Sequence, residues 1–163
     1  MNAATRFIDA RDLLLQHRED VEFAQREFRW PVLEEFNWAR DYVDLVAAGN
    51  DSCALRVVDD LGNDQALSFA QIAARSHQVA AFLTSLEVGP GDRLLLMLPN
   101  CIALWEVMLA AIRAGVVIIP ATTLLQEAEL RDRIERGGVQ VARQSTAARN
   151  SGEFWEDGLQ ELR

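Results

Sequence analysis

The stretch that most constrains the fold is an apolar helix between two short apolar runs, within residues 89–123. The runs are Leu94–Leu98 and Val116–Ile119. Two such runs around one helix predict a βαβ unit. Because the runs are apolar at successive positions, both strands are expected to be buried on both faces, as in parallel sheets. We therefore predict an α/β fold, a partial three-layer α/β domain whose parallel-sheet core is built on this unit.

The central helix of this unit has clear start and stop signals. Asn100 is placed to cap its beginning, and Gly115 is placed to end it. A helix that is apolar nearly all round is buried, so we expect residues 101–114 to lie between the sheet and other helices. Its apolar residues are Ile102, Leu104, Trp105, Val107, Met108, Leu109 and Ile112.

The rest of the chain divides into three regions by pattern. Residues 1–36 are predicted to be an N-terminal helix and linker, residues 37–142 the α/β core, and residues 143–163 a divergent tail. Apolar residues at every seventh position predict one long helix over 5–29. Such a helix either binds a partner as a coiled coil or packs on its own domain.

Shorter elements are predicted within the core and the tail. Asn37 and Ser68 are suitable N-caps for two of the helices. The predicted elements are a helix 38–48, a β-hairpin of strands 54–58 and 66–69, a helix 69–86, a polar helix 127–136, a short strand 139–142, and a last helix carrying Phe154, Trp155, Leu159 and Leu162.

Composition excludes several classes of function. The net charge of −9 argues against nucleic acid as the main partner. No apolar run approaches the roughly 20 residues of a membrane span, and no secretory signal is recognisable at the N-terminus, so a cytoplasmic protein is expected. All 16 basic residues are Arg. Mechanisms that need a Lys nucleophile or a phosphate-loop Lys are therefore excluded for this sequence.

Candidate catalytic and metal-binding residues are few. The two cysteines, Cys53 and Cys101, cannot form a metal site by spacing, and we expect buried, reduced thiols. His17 lies on the apolar stripe of the first helix and is expected to be packed there. His77 has no acidic neighbour at helical spacing and is expected at the surface.

Acidic residues give no better candidates. Glu34 and Glu35 are adjacent in sequence and therefore point apart, which favours a solvated face. Asp59, Asp60 and Asp64 have turn chemistry, but Leu61 occupies the position where a calcium loop needs an oxygen ligand. The sequence therefore predicts no catalytic residues and no metal site.

The core resembles a known enzyme family in three places. Leu67-Ser68-Phe69 precedes the first long helix, Gly89-Pro90-Gly91-Asp92-Arg93 forms the turn into the first core strand, and Ala114-Gly115-Val116 leads through to Pro120. Together they resemble the N-terminal region of the adenylate-forming, or AMP-binding, enzymes. The upstream segment PVLEEFNWARDYVDLVAAGND is similar to the acyl-CoA synthetase branch. The resemblance spans residues 30–136, about two thirds of the chain.

The resemblance implies a two-step ligase reaction for the family. A carboxylate attacks the α-phosphate of ATP to give acyl-AMP and pyrophosphate, and the thiolate of coenzyme A then displaces AMP. ATP, Mg²⁺ and CoA are thus implied for full-length relatives, with a carboxylic acid as substrate. The phosphate loop, the adenine motif, the Mg²⁺-binding acid and the catalytic Lys of the family come later and are absent from this sequence.

The matching segment is mostly scaffold in the family, and no catalytic residue is carried over. Thr122 and Thr123 lie only where a ligand crevice is expected in such a sheet. After Gly137-Gly138 the sequence departs from the family pattern. A truncated or frame-shifted gene product, a deliberately shortened chain and a natural short protein remain open. The predicted function is an N-terminal fragment of an acyl-CoA synthetase-like ligase, inactive alone. The alternative is a non-catalytic interaction module that forms homo-oligomers.

Overall fold

The computed structural model describes residues 2–144 of the chain, with side chains over residues 2–140. The helices of this part are α1 (Ala3–Gln16), α2 (Val21–Glu27), a π-helical segment (Trp38–Val43) continued by α3 (Asp44–Ala47), α4 (Phe69–Ser85), α5 (Ile102–Ala114) and α6 (Glu127–Gly137). The strands are β1 (Cys53–Val58), β2 (Asp64–Ser68), β3 (Arg93–Met97), β4 (Val117–Pro120) and β5 (Val141–Gln144).

The predicted parallel core is confirmed. Strand β3 lies between β4 and β5 and runs parallel to both, with Arg93 opposite Val117 and Leu94 opposite Val141. All residues from Leu94 to Leu98 are buried, as the continuous apolar run requires. Gly115 ends α5 in the left-handed conformation with φ 73°, and a Cβ there would lie 3.3 Å from Pro90 Cβ.

Two apolar clusters form the core of the described residues. The larger joins β3 to facing sides of α4 and α5, with Leu83, Leu94 and Val107 among its members. The smaller joins Leu109 of α5 to Val43 and Ile72. Helix α5 therefore packs against the sheet, against α4 and against the π-helical segment.

The helix α5 is less uniformly buried than its sequence predicts. Trp105 is 44% exposed and Ile112 lies at the surface, whereas Glu106 and Arg113 are buried. Moreover, Asn100 does not cap the helix: Cys101 is the N-cap residue, and Asn100 Oδ1 instead accepts a hydrogen bond from Trp105 Nε1 at 3.2 Å. The indole is thereby held over the start of α5 at the protein surface.

The predicted single helix over 5–29 is wrong. Helix α1 ends at Gln16, with His17 as its C-cap, and α2 begins after Asp20, whose carboxylate accepts a hydrogen bond from the Phe23 amide at 2.9 Å. This N-cap starts a new helix in the middle of the heptad pattern. His17 is half-buried and its ring stacks on Phe23 at 3.8 Å. The packed position expected for this histidine is therefore confirmed, although the helix around it is not continuous.

Helix α1 packs on its own domain through aromatic contacts. The Phe7 ring lies 5.0 Å from Phe36 and 5.0 Å from Tyr42, and Arg11 donates to the Tyr42 hydroxyl at 2.8 Å. These contacts confirm the interpretation of α1 as a helix that contacts its own core.

The other short elements match the sequence pattern closely. A five-residue turn joins β1 to β2, which pair antiparallel. The Asp59 carboxylate closes this turn by accepting from the amides of Leu61 and Asn63, which is a turn function rather than cation binding. Ser68 is the N-cap of α4, as predicted, and it forms a capping box with Gln71. The proposed last helix, with Phe154 and Trp155, lies outside the described residues.

The expectation of buried thiols is wrong. Cys53 is exposed because it begins β1 in a two-stranded sheet, and Cys101 is half-buried at the N-cap of α5. None of the helices between residues 2 and 144 combines the length and apolarity that a membrane crossing requires.

Candidate functional site

The carboxyl ends of β3 and β4 lie at the same edge of the parallel sheet, where ligands bind in open α/β folds. Thr122 and Thr123 follow β4 and are exposed there, and Thr122 Oγ1 accepts from the Leu124 amide at 3.3 Å. The turn after β3, Pro99–Asn100–Cys101, contains no glycine. The Asn100 side chain accepts a hydrogen bond from the Trp105 indole. This edge therefore has exposed polar groups but no phosphate-binding turn of the dinucleotide type.

Metal-binding geometry is likewise missing from this part of the chain. Within the described residues, no group of three or more His, Cys, Asp or Glu side chains is positioned to hold a metal ion. The sheet edge described here therefore offers neither a Mg²⁺ ligand set nor a phosphate-binding turn.

The densest cluster of ionised groups lies instead between α3, α4 and α5. Arg113 of α5 is 5% exposed, and its two terminal nitrogens both donate to Asp44, at 2.7 Å each. Arg113 Nη2 also lies 3.4 Å from the Ala39 carbonyl and 3.4 Å from the buried Ser76 hydroxyl. A planar guanidinium matches a carboxylate in this two-point geometry, so the pair fixes α5 against α3.

Electrostatics at Asp44 follow from this geometry. The hydrogen bonds from Arg113 lower the pKa of Asp44 below its ordinary value, partly offset by burial, with further lowering from the charge of Arg113 and from His77. His77 Nε2 lies 3.2 Å from Asp44 Oδ1. His77 is exposed, as expected, but it does have an acidic partner, which comes from α3 rather than from its own helix.

A second ion pair joins α5 to α4. The Glu106 carboxylate is buried, and Arg75 Nη1 donates to it at 2.9 Å. Glu106 and Arg113 are seven residues apart in the same helix and therefore lie on one face of it. Two charged residues at that spacing in an otherwise apolar helix are the sequence signal for this network. Neither residue is among those that the sequence analysis considers as site residues.

The Arg113 network borders an open cleft of about 440 Å³. Its polar lining comes from Arg40, Asp44, His77, Thr84 and Arg113, and the remainder from small alanine side chains. The arrangement holds charge in place and offers hydrogen-bond donors. It contains no nucleophile paired with a base, because the only hydroxyl at the lining, that of Thr84, donates to the Ala80 carbonyl at 3.0 Å.

The fold defines a class: it is the α/β architecture of the N-terminal subdomain of adenylate-forming ligases. The chain belongs to the family of AMP-binding enzymes, which matches over residues 39–154, more than half of its length. The predicted resemblance to adenylate-forming enzymes is thereby confirmed.

Individual relatives agree with this family. An uncharacterized acyl-CoA ligase of Bacillus subtilis, YtcI, is 29% identical over 108 residues, 66% of this chain and 20% of that protein. The human mitochondrial acyl-coenzyme A synthetase ACSM5 is 34% identical over 64% of this chain and 19% of its own. The chain thus spans about a fifth of the length of these relatives.

A solved structure gives the same result. The crystal structure of a benzoate CoA ligase from Burkholderia xenovorans LB400 superposes with a TM-score of 0.56 at 27% identity. The similarity covers 66% of this chain and 21% of the ligase.

Proposed function

We propose that this chain forms the N-terminal scaffold of an acyl-CoA synthetase-like ligase and is not catalytic by itself. The observation that carries the proposal is the use of its buried charges. Arg113 and Glu106 are engaged in ion pairs between helices, and these pairs hold α3, α4 and α5 around the sheet. Charges paired in this way fix the helices relative to one another, and they are not available to a substrate.

The family chemistry belongs to segments that this sequence does not contain. Carboxylate adenylation needs donors and a metal ion that clamp the phosphates of ATP. The turn after β3 has no glycine for phosphate binding, and the described residues contain no group of metal ligands. ATP, Mg²⁺ and CoA are therefore proposed as ligands of full-length relatives. A carboxylic acid is likewise proposed as the substrate of full-length relatives. Cytoplasmic localisation stays a prediction.

An exchange assay tests the proposal. The purified chain, free of host ligases, is incubated with ATP, Mg²⁺, radiolabelled pyrophosphate and one of acetate, butyrate or benzoate. We expect no carboxylate-dependent label in ATP. An active acyl-CoA synthetase assayed in parallel shows that the conditions suffice. Carboxylate-dependent exchange above the blank would show that the chain carries its own adenylation site and would overturn the proposal.

A second candidate function is a non-catalytic interaction module that forms homo-oligomers. The observation that favours it is a set of large exposed apolar residues in the first 32 positions: Leu15, Trp30 and Val32 are all more than half exposed. Such residues mark a contact surface where they form a contiguous patch. The two functions differ in a direct measurement of mass in solution, which is argued at the end of the Discussion.

A further inference from the structure

The cleft beside Arg113 carries more positive than negative charge, in a protein whose net charge is −9. It is lined by Arg40 from the π-helical segment, His77 from α4 and Arg113 from α5, against the single carboxylate of Asp44. Arg113 and Asp44 neutralise each other through their two short hydrogen bonds. Arg40 and, when protonated, His77 are therefore the surplus charge of the cleft.

Two donors at this cleft lack acceptors. The exposed Arg40 guanidinium has no ion-pair or hydrogen-bond partner among residues 2–140; only its backbone amide donates, to Asn37. Arg113 Nε is buried and has no acceptor within the same residues. Because this nitrogen is sealed from solvent, a ligand in the cleft cannot reach it, and Arg40 is the donor of the cleft that faces solvent.

Alanine side chains leave room for such an acceptor. The non-polar lining consists of Ala80, Ala81 and Ala114, and the cleft of about 440 Å³ opens to solvent. A volume of this size accommodates a small ion with its water.

We propose that this cleft binds a small oxyanion, a phosphate or carboxylate group, with Arg40 as its principal ligand. The guanidinium of Arg40 provides the planar two-point donor set that such oxyanions match. The Arg113–Asp44 pair and the exposed His77 line the same cleft. The inference uses only these residues and is independent of the ligase assignment.

Histidine NMR tests the proposal on the full chain. The protein contains two histidines, so His77 reports on the cleft and His17, stacked on Phe23 in the N-terminal helices, is an internal control. Inorganic phosphate replaces chloride in steps, so that the pH and the ionic strength stay constant. We expect saturable shifts of the His77 ring protons at millimolar phosphate and none at His17. A parallel titration with acetate shows which oxyanion the cleft prefers. The anion that gives the stronger response at His77, phosphate or carboxylate, is the preferred group.

Matched arginine variants decide whether the effect belongs to the cleft. Arg40→Gln should weaken phosphate binding about tenfold, since it removes a charge-assisted two-point contact. Arg136→Gln, which removes the same charge from an exposed pair on α6, should leave binding unchanged. Arg40→Lys keeps the charge, and it serves as the test if Arg40→Gln does not fold; it should bind more weakly than the wild-type chain. Linear, chloride-like shifts, or equal affinities in the Arg40 and Arg136 variants, would overturn the proposal.

Discussion

At the scale of single residues, the Arg113–Asp44 pair is expected to have a large effect on stability. Arg113 has a side chain only 6% exposed, so removing its partner leaves a buried charge uncompensated. We expect Asp44→Asn to lower the free energy of unfolding by about 3 kcal/mol, toward the low end for such pairs because Asp44 is partly exposed. Urea unfolding followed by circular dichroism measures this change.

An exposed pair is the matched control for that substitution. Asp132→Asn removes the same carboxylate charge from the pair with Arg136 on α6, where both side chains are largely exposed. It should change stability by less than about 1 kcal/mol. Equal losses in the two variants would show that the buried pair has no special role.

The same pair predicts a dependence on pH. Because Arg113 lowers the pKa of Asp44 in the folded state, the pair's contribution is fully present above the ordinary value of 3.8. It is lost as the pH falls through the lower folded-state pKa, since the unfolded chain then binds the proton more readily. Asp59 and Asp64, whose pKa values are also lowered, give slopes of the same sign in every variant. Asp44→Asn should therefore lose less stability than the wild-type chain on acidification below that value.

At the scale of elements, the core position of α5 makes a graded prediction. Leu109→Ala should cost about 2–5 kcal/mol, because Leu109 is 8% exposed and its loss leaves a cavity beside Val43 and Ile72. Trp105→Ala should cost less, about 1–2 kcal/mol, because nearly half of the indole is already in water. Chemical unfolding of both variants gives the comparison; a loss below about 1 kcal/mol for Leu109→Ala would place α5 outside the core.

The sequence predicts some elements far better than others, for physical reasons. The strand Leu94–Leu98 and the helix after Ser68 are specified locally, by continuous burial and by a capping box, and both form where expected. The heptad pattern over 5–29 records only which side chains are apolar. The pattern contains no information about the Asp20 carboxylate, which accepts a hydrogen bond from the backbone amide of Phe23 and starts a second helix.

The charged network shows the limit of prediction for the site. Asp44 and Arg113 are 69 positions apart, and Arg75 and Glu106 are 31 apart, so only the folded chain brings the partners together. The charges of Glu106 and Arg113 within an apolar helix indicate that partners exist. They do not identify which of the many other charged residues those partners are, because no local spacing links them.

At the scale of the whole molecule, we predict that the chain associates with itself. Strands β4 and β5 are the edges of the described sheet, and edges with free backbone groups pair readily with another chain. Trp30 is 83% exposed, and Leu15 lies exposed in α1. Burying roughly 25 cal/mol per Å² over an ordinary interface should outweigh the repulsion of the net charge, which salt screens beyond about 8 Å.

Sedimentation equilibrium over a hundredfold dilution series measures this association. We expect a homodimer or larger species at micromolar concentration, as twofold dimers are the commonest closed assembly. Replacing Leu15 and Trp30 together by Ser should weaken association by removing the apolar contact. Leu61→Ser is the control, since Leu61 is 88% exposed and lies in the β1–β2 turn. A single species of 18.2 kDa at the highest loading would contradict self-association. An equal loss of association in both variants would show that Leu15 and Trp30 do not form the interface.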